Sequence, residues 1–201
     1  MIIELNKNPV KFILIKEFLG EESYSYLMKY ASNLDNFERG SVGDTFSPVF
    51  DINIKKNLNI WLTYPNPIGI EMQKVFWSQE IIDATRAMDD LLFRAHNLTN
   101  GGNFLVSRYD EEDYYNWHTD DVHYLTMNYV IQTADEGGVF QISDKTHDIG
   151  MYEGDLMTVT DIPNISNSMI IFPGMYFHRV TPIKKGQRLT LQHFTSREID
   201  K

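Results

Sequence analysis

Arg188-Leu189-Thr190-Leu191-Gln192-His193-Phe194-Thr195 is the stretch on which the reading of this chain turns. Side chains along a strand alternate between two faces. Leu189, Leu191 and His193 therefore share one face, and Arg188, Thr190 and Gln192 share the other. Such a strand ordinarily buries its apolar face and wets its polar one. On the edge of a sheet, Arg188 would simply meet solvent. Inside a double sheet the polar face lines a cavity instead, and that cavity then holds an arginine.

The neighbouring sequence favours the double sheet. From Phe104 onward, Gly, aromatic and β-branched residues dominate, and short alternating runs follow at 104–109, 114–120, 125–133, 139–142, 156–160, 169–172, 177–181 and 188–195. About eight strands joined by turns predict a double-sheet jelly roll or a squat barrel. Upstream, residues 10–18 read as a strand and 21–34 as a helix, with Tyr24, Leu27, Met28 and Ala31 at helical spacing and Glu21 and Glu22 in the first turn. A second helix is expected over 70–95, through Met72, Val75, Phe76, Ile82, Met88, Leu91 and Leu92. The Asn-, Gly- and Pro-rich stretch 35–67 reads as loops with short strands and is a candidate lid. Because the helices precede the strands, they should brace one sheet from outside. The expectation is one α+β, mainly β domain over 1–201, with helical support and lid in 1–100 and the jelly-roll core in 103–195.

Composition narrows the chemistry. The chain has 201 residues, no cysteine and a net charge of −10. Disulfides, thiolate metal sites and a cysteine nucleophile are excluded, so any metal is bound through His and carboxylate. An acidic surface repels phosphate backbones, which argues against nucleic-acid partners. The apolar run 10–19 is broken by Lys11, Lys16 and Glu17, so it is neither a signal segment nor a membrane span. These features predict a cytoplasmic protein with no membrane partner. Gly137-Gly138 reads as a tight turn, since no phosphate-loop pattern accompanies it.

His118-Thr119-Asp120 carries the chemical signal. At i and i+2 of a strand, His118 and Asp120 project to one face. His178, opening a late strand after the Pro173-Gly174 turn, is the candidate third ligand. Two imidazoles and one carboxylate are the ligand set of an iron(II) site with open positions. Arg188 follows His178 by ten positions and can give two parallel N–H bonds to a carboxylate, with the Thr190 hydroxyl adding a third. Without a metal, His118 and Asp120 would be a hydrogen-bonded pair in a polar barrel mouth. Other candidates rank lower. His123 has the wrong parity and reads as a surface or supporting residue. His147-Asp148 lacks a partner at strand spacing, His96 follows the long helix, and His193 reads as a core histidine. Trp61, Trp77 and Trp117 read as packing residues, with Trp117 adjoining the site.

These residues resemble the 2-oxoglutarate- and iron(II)-dependent dioxygenases, and among them the prolyl 4-hydroxylase-like branch. The matching text is Arg108-Tyr109, Tyr115-Asn116-Trp117-His118-Thr119-Asp120-Asp121, Glu136-Gly137-Gly138-Val139-Phe140-Gln141-Ile142, Ile171-Phe172-Pro173, His178-Arg179-Val180-Thr181-Pro182 and Gly186-Gln187-Arg188-Leu189-Thr190. The resemblance covers roughly 103–195. It implies a double-stranded β-helix with His118, Asp120 and His178 on iron(II). Arg188, Thr190 and the Tyr109 hydroxyl would bind 2-oxoglutarate. The reaction implied is hydroxylation of a C–H bond by O2, with release of succinate and CO2, on a peptide or small-molecule substrate, a prolyl residue being favoured. Two features depart from the family. Asp110-Glu111-Glu112-Asp113 stands where a Pro-Gly turn is common, and 143–168 is long enough to be a further lid. The acidic run is either a solvated loop or an attractor for a cationic substrate.

Two other functions compete. A His/Asp/His zinc hydrolase would need a general base such as Glu136 or Asp121, and would leave Arg188 and Tyr109 without a purpose. A jelly-roll binding module with a relic site would have no reason to keep intact ligands.

Overall fold

The computed structural model describes residues 1–42, 48–89, 103–120, 123–146 and 157–196. In chain order the elements begin with β1 (Ile2–Asn6), β2 (Phe12–Lys16), α1 (Glu21–Ser32), β3 (Glu38–Arg39), β4 (Lys55–Lys56), β5 (Leu58–Leu62), α2 (Pro67–Phe76) and α3 (Gln79–Met88). There follow β6 (Phe104–Tyr109), β7 (Tyr114–His118), β8 (His123–Gln132), β9 (Glu136–Gly137), β10 (Phe140–Thr146), β11 (Val159–Asp161), β12 (Ser168–Pro173), β13 (Tyr176–Val180), β14 (Ile183–Lys185) and β15 (Arg188–Ser196).

Two antiparallel sheets carry the fold. The larger has the order β1-β2-β12-β8-β15-β6-β5-β3, the smaller β11-β10-β13-β7-β4, and β14 and β9 form a separate ribbon. Strand parity explains the layers. Ile13 and Ile15 of β2, Met169 and Ile171 of β12, Met127 and Tyr129 of β8 and Leu189 and Leu191 of β15 join one core cluster with Leu27, Met72, Phe76 and Ile81 of the helices. Their strand neighbours Phe12, Leu14, Ile170, Phe172 and Tyr109 join a second cluster with Phe140, Ile142 and Val180 of the smaller sheet. The helices thus cover the outer face of the large sheet, and the second cluster fills the space between the sheets. This is the jelly roll braced from outside that the strand pattern predicts. Among the described residues no helix is long and apolar enough to cross a membrane.

Some expectations need correction. The helix expected over 70–95 is two helices. Ser78 adopts an extended conformation (φ −64°, ψ 159°) as the N-cap of α3, and Trp77 is tied to the large sheet by an indole N–H bond to His193 Nε2 (3.2 Å). That tether overrides a continuous apolar stripe. α2 begins before its expected start because Asn66 accepts from the Ile68 and Gly69 amides, with Pro67 in the first turn. The stretch 35–67 carries short strands as expected, and β5 pairs along its whole length with β6 and extends the large sheet. β1, unexpected from the sequence, adds an edge strand against β2. In 143–168, β10 runs on to Thr146 and β11 pairs with it in the small sheet, while Ser168 opens β12 of the large one. Residues 90–95 and 43–47, His96, and His147-Asp148 with 147–156 lie outside the described residues.

Candidate metal centre

The first histidine owes its aim to a bulge. Against β13, His118 pairs with His178 but Tyr115 pairs with Val180, so three steps on β7 match two on β13. The extra residue shifts parity and brings Tyr115 and His118 to the same face, where their rings stack with centroids 3.4 Å apart and planes at 11°. The Asn116 carbonyl, within the bulge, accepts from His118 Nδ1 at 2.7 Å. Across the sheet, the Tyr176 carbonyl accepts from His178 Nδ1 at 2.9 Å. A carbonyl can only accept, so each ring carries a proton on Nδ1 and turns Nε2 toward the cluster, the nitrogen that binds a metal in this tautomer.

Asp120 reaches the same point by another route. The strand expected to run through it ends at His118. Asp120 is held instead by its amide donating to the Gly174 carbonyl (2.7 Å), while its own carbonyl accepts from the His123 amide (2.8 Å). A Cβ at Gly174 would stand 2.5 Å from the Asp120 carbonyl oxygen and 2.7 Å from that of His123, so only glycine permits this approach. The Thr126 hydroxyl donates to Asp120 Oδ2 at 2.7 Å. Oδ2 lies 3.3 Å from His178 Nε2 and Oδ1 lies 4.0 Å from His118 Nε2. The ligand atoms of His118, Asp120 and His178 all fall within 4.8 Å of one another.

Charge states suit a cation. Burial pushes His118 well below the ordinary histidine range, so its imidazole is neutral. Burial alone would raise the Asp120 carboxyl, but the facing His178, which also hydrogen-bonds it, and the Thr126 hydroxyl outweigh it and hold Asp120 well below the usual carboxylate range. Neutral imidazole and ionised carboxylate are the forms a metal ion requires.

A cavity of about 70 Å³ opens onto this cluster between the sheets, with Lys55, Tyr109, Tyr115, Asn128, Phe172 and Gln192 in its walls. Arg188 and Thr190 do not line it. Arg188 is fully buried beside Tyr109, its cross-strand partner, with the guanidinium 5.8 Å from the Tyr109 ring centre. Among the described residues none of Nε, Nη1 and Nη2 has a hydrogen-bond partner. Burial lowers the Arg188 pKa to about 10, which still leaves a cation at neutral pH, and raises the Tyr109 hydroxyl to about 12, which keeps it a donor. Thr190 is buried and accepts a long bond (3.5 Å) from Gln192.

The acidic run proves to be a structured turn. Asp113 is buried and accepts from the Asp110 amide, Asp110 accepts from the Gln187 side chain (2.7 Å), and Glu111 accepts from the Gly186 amide (3.2 Å). It clasps the two residues that lead into Arg188. His193 is buried in the core as expected, stacked on Phe104 at 4.8 Å. His123 turns from the cluster and stacks on Phe194 at 4.8 Å. Trp117 packs beneath the Arg179 guanidinium at 4.6 Å.

The sequence reading missed Thr126, Gly174 and Lys55. Thr126 stood on the inward face of an expected strand, which was the available signal. The Pro173-Gly174 turn was visible but its contact with Asp120 was not. Nothing local marked Lys55.

Residues 104–196 match the family model of the 2OG-Fe(II) oxygenase superfamily, which identifies that part of the chain as an oxygenase domain of this kind. It is accordingly a dioxygenase that uses iron(II), 2-oxoglutarate and O2. No curated protein matches the chain. Among solved structures it is similar to a Pseudomonas putida prolyl-4-hydroxylase, at 13% identity over 94% of each chain with a TM-score of 0.65. It is also similar to a Trichoplax adhaerens prolyl hydroxylase in complex with a hypoxia-inducible-factor peptide fragment, at 18% identity over 94% of this chain and 85% of that one, TM-score 0.61. A third similar structure is SnoN, an α-ketoglutarate-dependent epimerase of nogalamycin biosynthesis, at 12% identity over 91% and 77%, TM-score 0.62. These likenesses establish a shared fold.

The residues present fit what the superfamily binds. The donor set suits iron(II) with open positions. A buried guanidinium with every nitrogen unpartnered is a cation built for a bidentate anion.

Proposed function

We propose that His118, Asp120 and His178 hold iron(II), and that Arg188, helped by Tyr109 and Thr190, binds the distal carboxylate of 2-oxoglutarate. The enzyme hydroxylates a C–H bond of a peptide or small-molecule substrate, and succinate and CO2 leave. The helices and the jelly roll act as one domain over 1–201. A prolyl ring, in a peptide or as the free amino acid, is the first substrate to test. The observation that carries this reading is the unpartnered, fully buried Arg188 in a barrel whose opposite wall presents three converging metal-ligand atoms.

When bound, iron and the keto acid supply the oxidising power for C–H cleavage and hydroxyl delivery. The chain's residues do the rest. Asn116 and Tyr176 fix the tautomers and aim both imidazoles. Thr126 orients the carboxylate. Tyr115, stacked on His118, shields one face of that ring from water. Anaerobic addition of iron(II) and 2-oxoglutarate should give a weak visible charge-transfer band. His118→Ala should abolish it, and an unchanged band in that variant would remove His118 from the metal.

A further inference from the structure

Lys55 is a lysine in a place where the fold gives it little to do. It stands on β4, the edge strand of the smaller sheet, opposite Tyr115. Its side chain turns into the cavity wall and is only 7% exposed. The ammonium lies 4.3 Å from the centre of the Tyr115 ring, the same ring on which His118 stacks. One of its three N–H donors is used, on the Ser41 carbonyl at 3.2 Å. Its neighbour Lys56 shows the ordinary arrangement, with Glu112 and Asp113 at 3.7 and 3.5 Å. Among the described residues Lys55 has no such carboxylate.

We propose that Lys55 receives the carboxylate of a small substrate, such as a free amino acid, next to the metal centre. The inference rests on the iron and 2-oxoglutarate reading given above and names the substrate class for that same site. A buried charge with free donors is unfavourable until an anion arrives, and the bonds then formed are charge-assisted. The distal carboxylate of the cosubstrate already has a partner in Arg188, which belongs to the other sheet. Lys55 is therefore left for the second organic molecule of the reaction. Lysine is a compact point charge on a flexible stem, suited to one carboxylate oxygen rather than a planar fork. Lys55 lines the same cavity as His118, Asp120 and His178, so an acid held by Lys55 lies in the space that opens onto the metal centre.

The test is calorimetry on the full chain loaded with Mn(II) and 2-oxoglutarate, titrated with the free L-amino acids and with their primary amides. At least one free acid should bind ten-fold or more tightly than its amide. Lys55→Met should reduce that ratio to below two-fold, Lys55→Arg should restore part of it, and 2-oxoglutarate affinity should stay within two-fold in both variants. The proposal is overturned if no free acid binds, or if acid and amide bind wild type alike. It is equally overturned if Lys55→Met weakens 2-oxoglutarate as steeply as Arg188→Met, which would make Lys55 a second cosubstrate anchor. A wild-type protein that binds no 2-oxoglutarate at all would instead strike the iron and 2-oxoglutarate reading itself.

Discussion

Arg188 and Lys55 are two buried cations in one barrel, and they differ in almost everything except burial. Burial lowers Arg188 from 12.5 to about 10 and Lys55 from 10.5 to about 8. Arg188 sits on the large sheet, inside the segment that matches the superfamily, with its approach clasped by the acidic turn. Lys55 sits on the small sheet's edge strand, outside that segment, held by a ring and one carbonyl. The contrast teaches where each kind of specificity resides. The cation proposed for the cosubstrate belongs to the segment that the family model matches. The cation proposed for the substrate comes from outside that segment.

Three variants strain this contrast. Arg188→Met should have the largest effect, lowering 2-oxoglutarate affinity by roughly 100- to 1000-fold, the scale of losing one partner of a buried charge pair. Titration of the Mn(II) protein measures it, and equal losses from Lys55→Met would erase the distinction. Next, Lys55→Met should stabilise the ligand-free protein. A folded pKa near 8 against 10.5 in the unfolded chain opposes folding by about 3 kcal/mol. The sign follows from the protons bound. Below pH 8 the lysine is charged in both states and the penalty is full; as pH rises from 8 to 10.5 only the unfolded chain holds the proton, and the penalty fades. The advantage of Lys55→Met in urea melts should therefore be greatest at or below pH 8, reduced by the lost Tyr115 and Ser41 contacts, and should shrink toward pH 10.5. A Lys55→Met protein less stable than wild type at pH 7 would mean that those contacts outweigh the burial. The smallest effect is expected at Thr126→Val, which leaves both cations untouched and removes the hydroxyl from Asp120. Iron(II) affinity should fall about 10- to 100-fold, as when an outer partner of a metal ligand is lost. Metal titration with the 2-oxoglutarate affinity of the loaded protein as control separates this from a general loss of structure.

Much of this is legible in the sequence. β6 coincides with the run read at 104–109, and β15 needs one residue beyond 195, because alternation is a local property that tertiary packing here reinforces. The placing of His178 opposite His118 was foreseeable from a late strand after a Pro-Gly turn. Strand parity does not bring His118 and Asp120 together, since β7 ends at His118 and Asp120 is held by Gly174 instead, while a bulge within β7 sets the aim of His118. Bulges depend on what the partner strand does, which the sequence of one strand does not record. The break at Trp77-Ser78 and the pairing of β5 were hidden for the same reason: each depends on a contact with a residue far away in the chain, His193 in one case and the β6 backbone in the other. Lys55 lay beyond reach because its meaning comes only from Tyr115, sixty positions later, and from the cavity they share.

The three candidate ligands take their aim chiefly from the main chain: the Asn116, Tyr176 and Gly174 carbonyls each fix one of them, and among the described residues outside the trio Thr126 is the one side chain that hydrogen-bonds a ligand. Carbonyl oxygens are the same whatever residue bears them. Replacement of Asn116 or Tyr176 by other residues can therefore leave the imidazoles pointing where they do, so long as the bulge and the strand persist. A centre built in this way can be inherited through very deep divergence of the surrounding text, and a search for relatives that weighs backbone path above residue identity will keep finding it after sequence likeness has worn away.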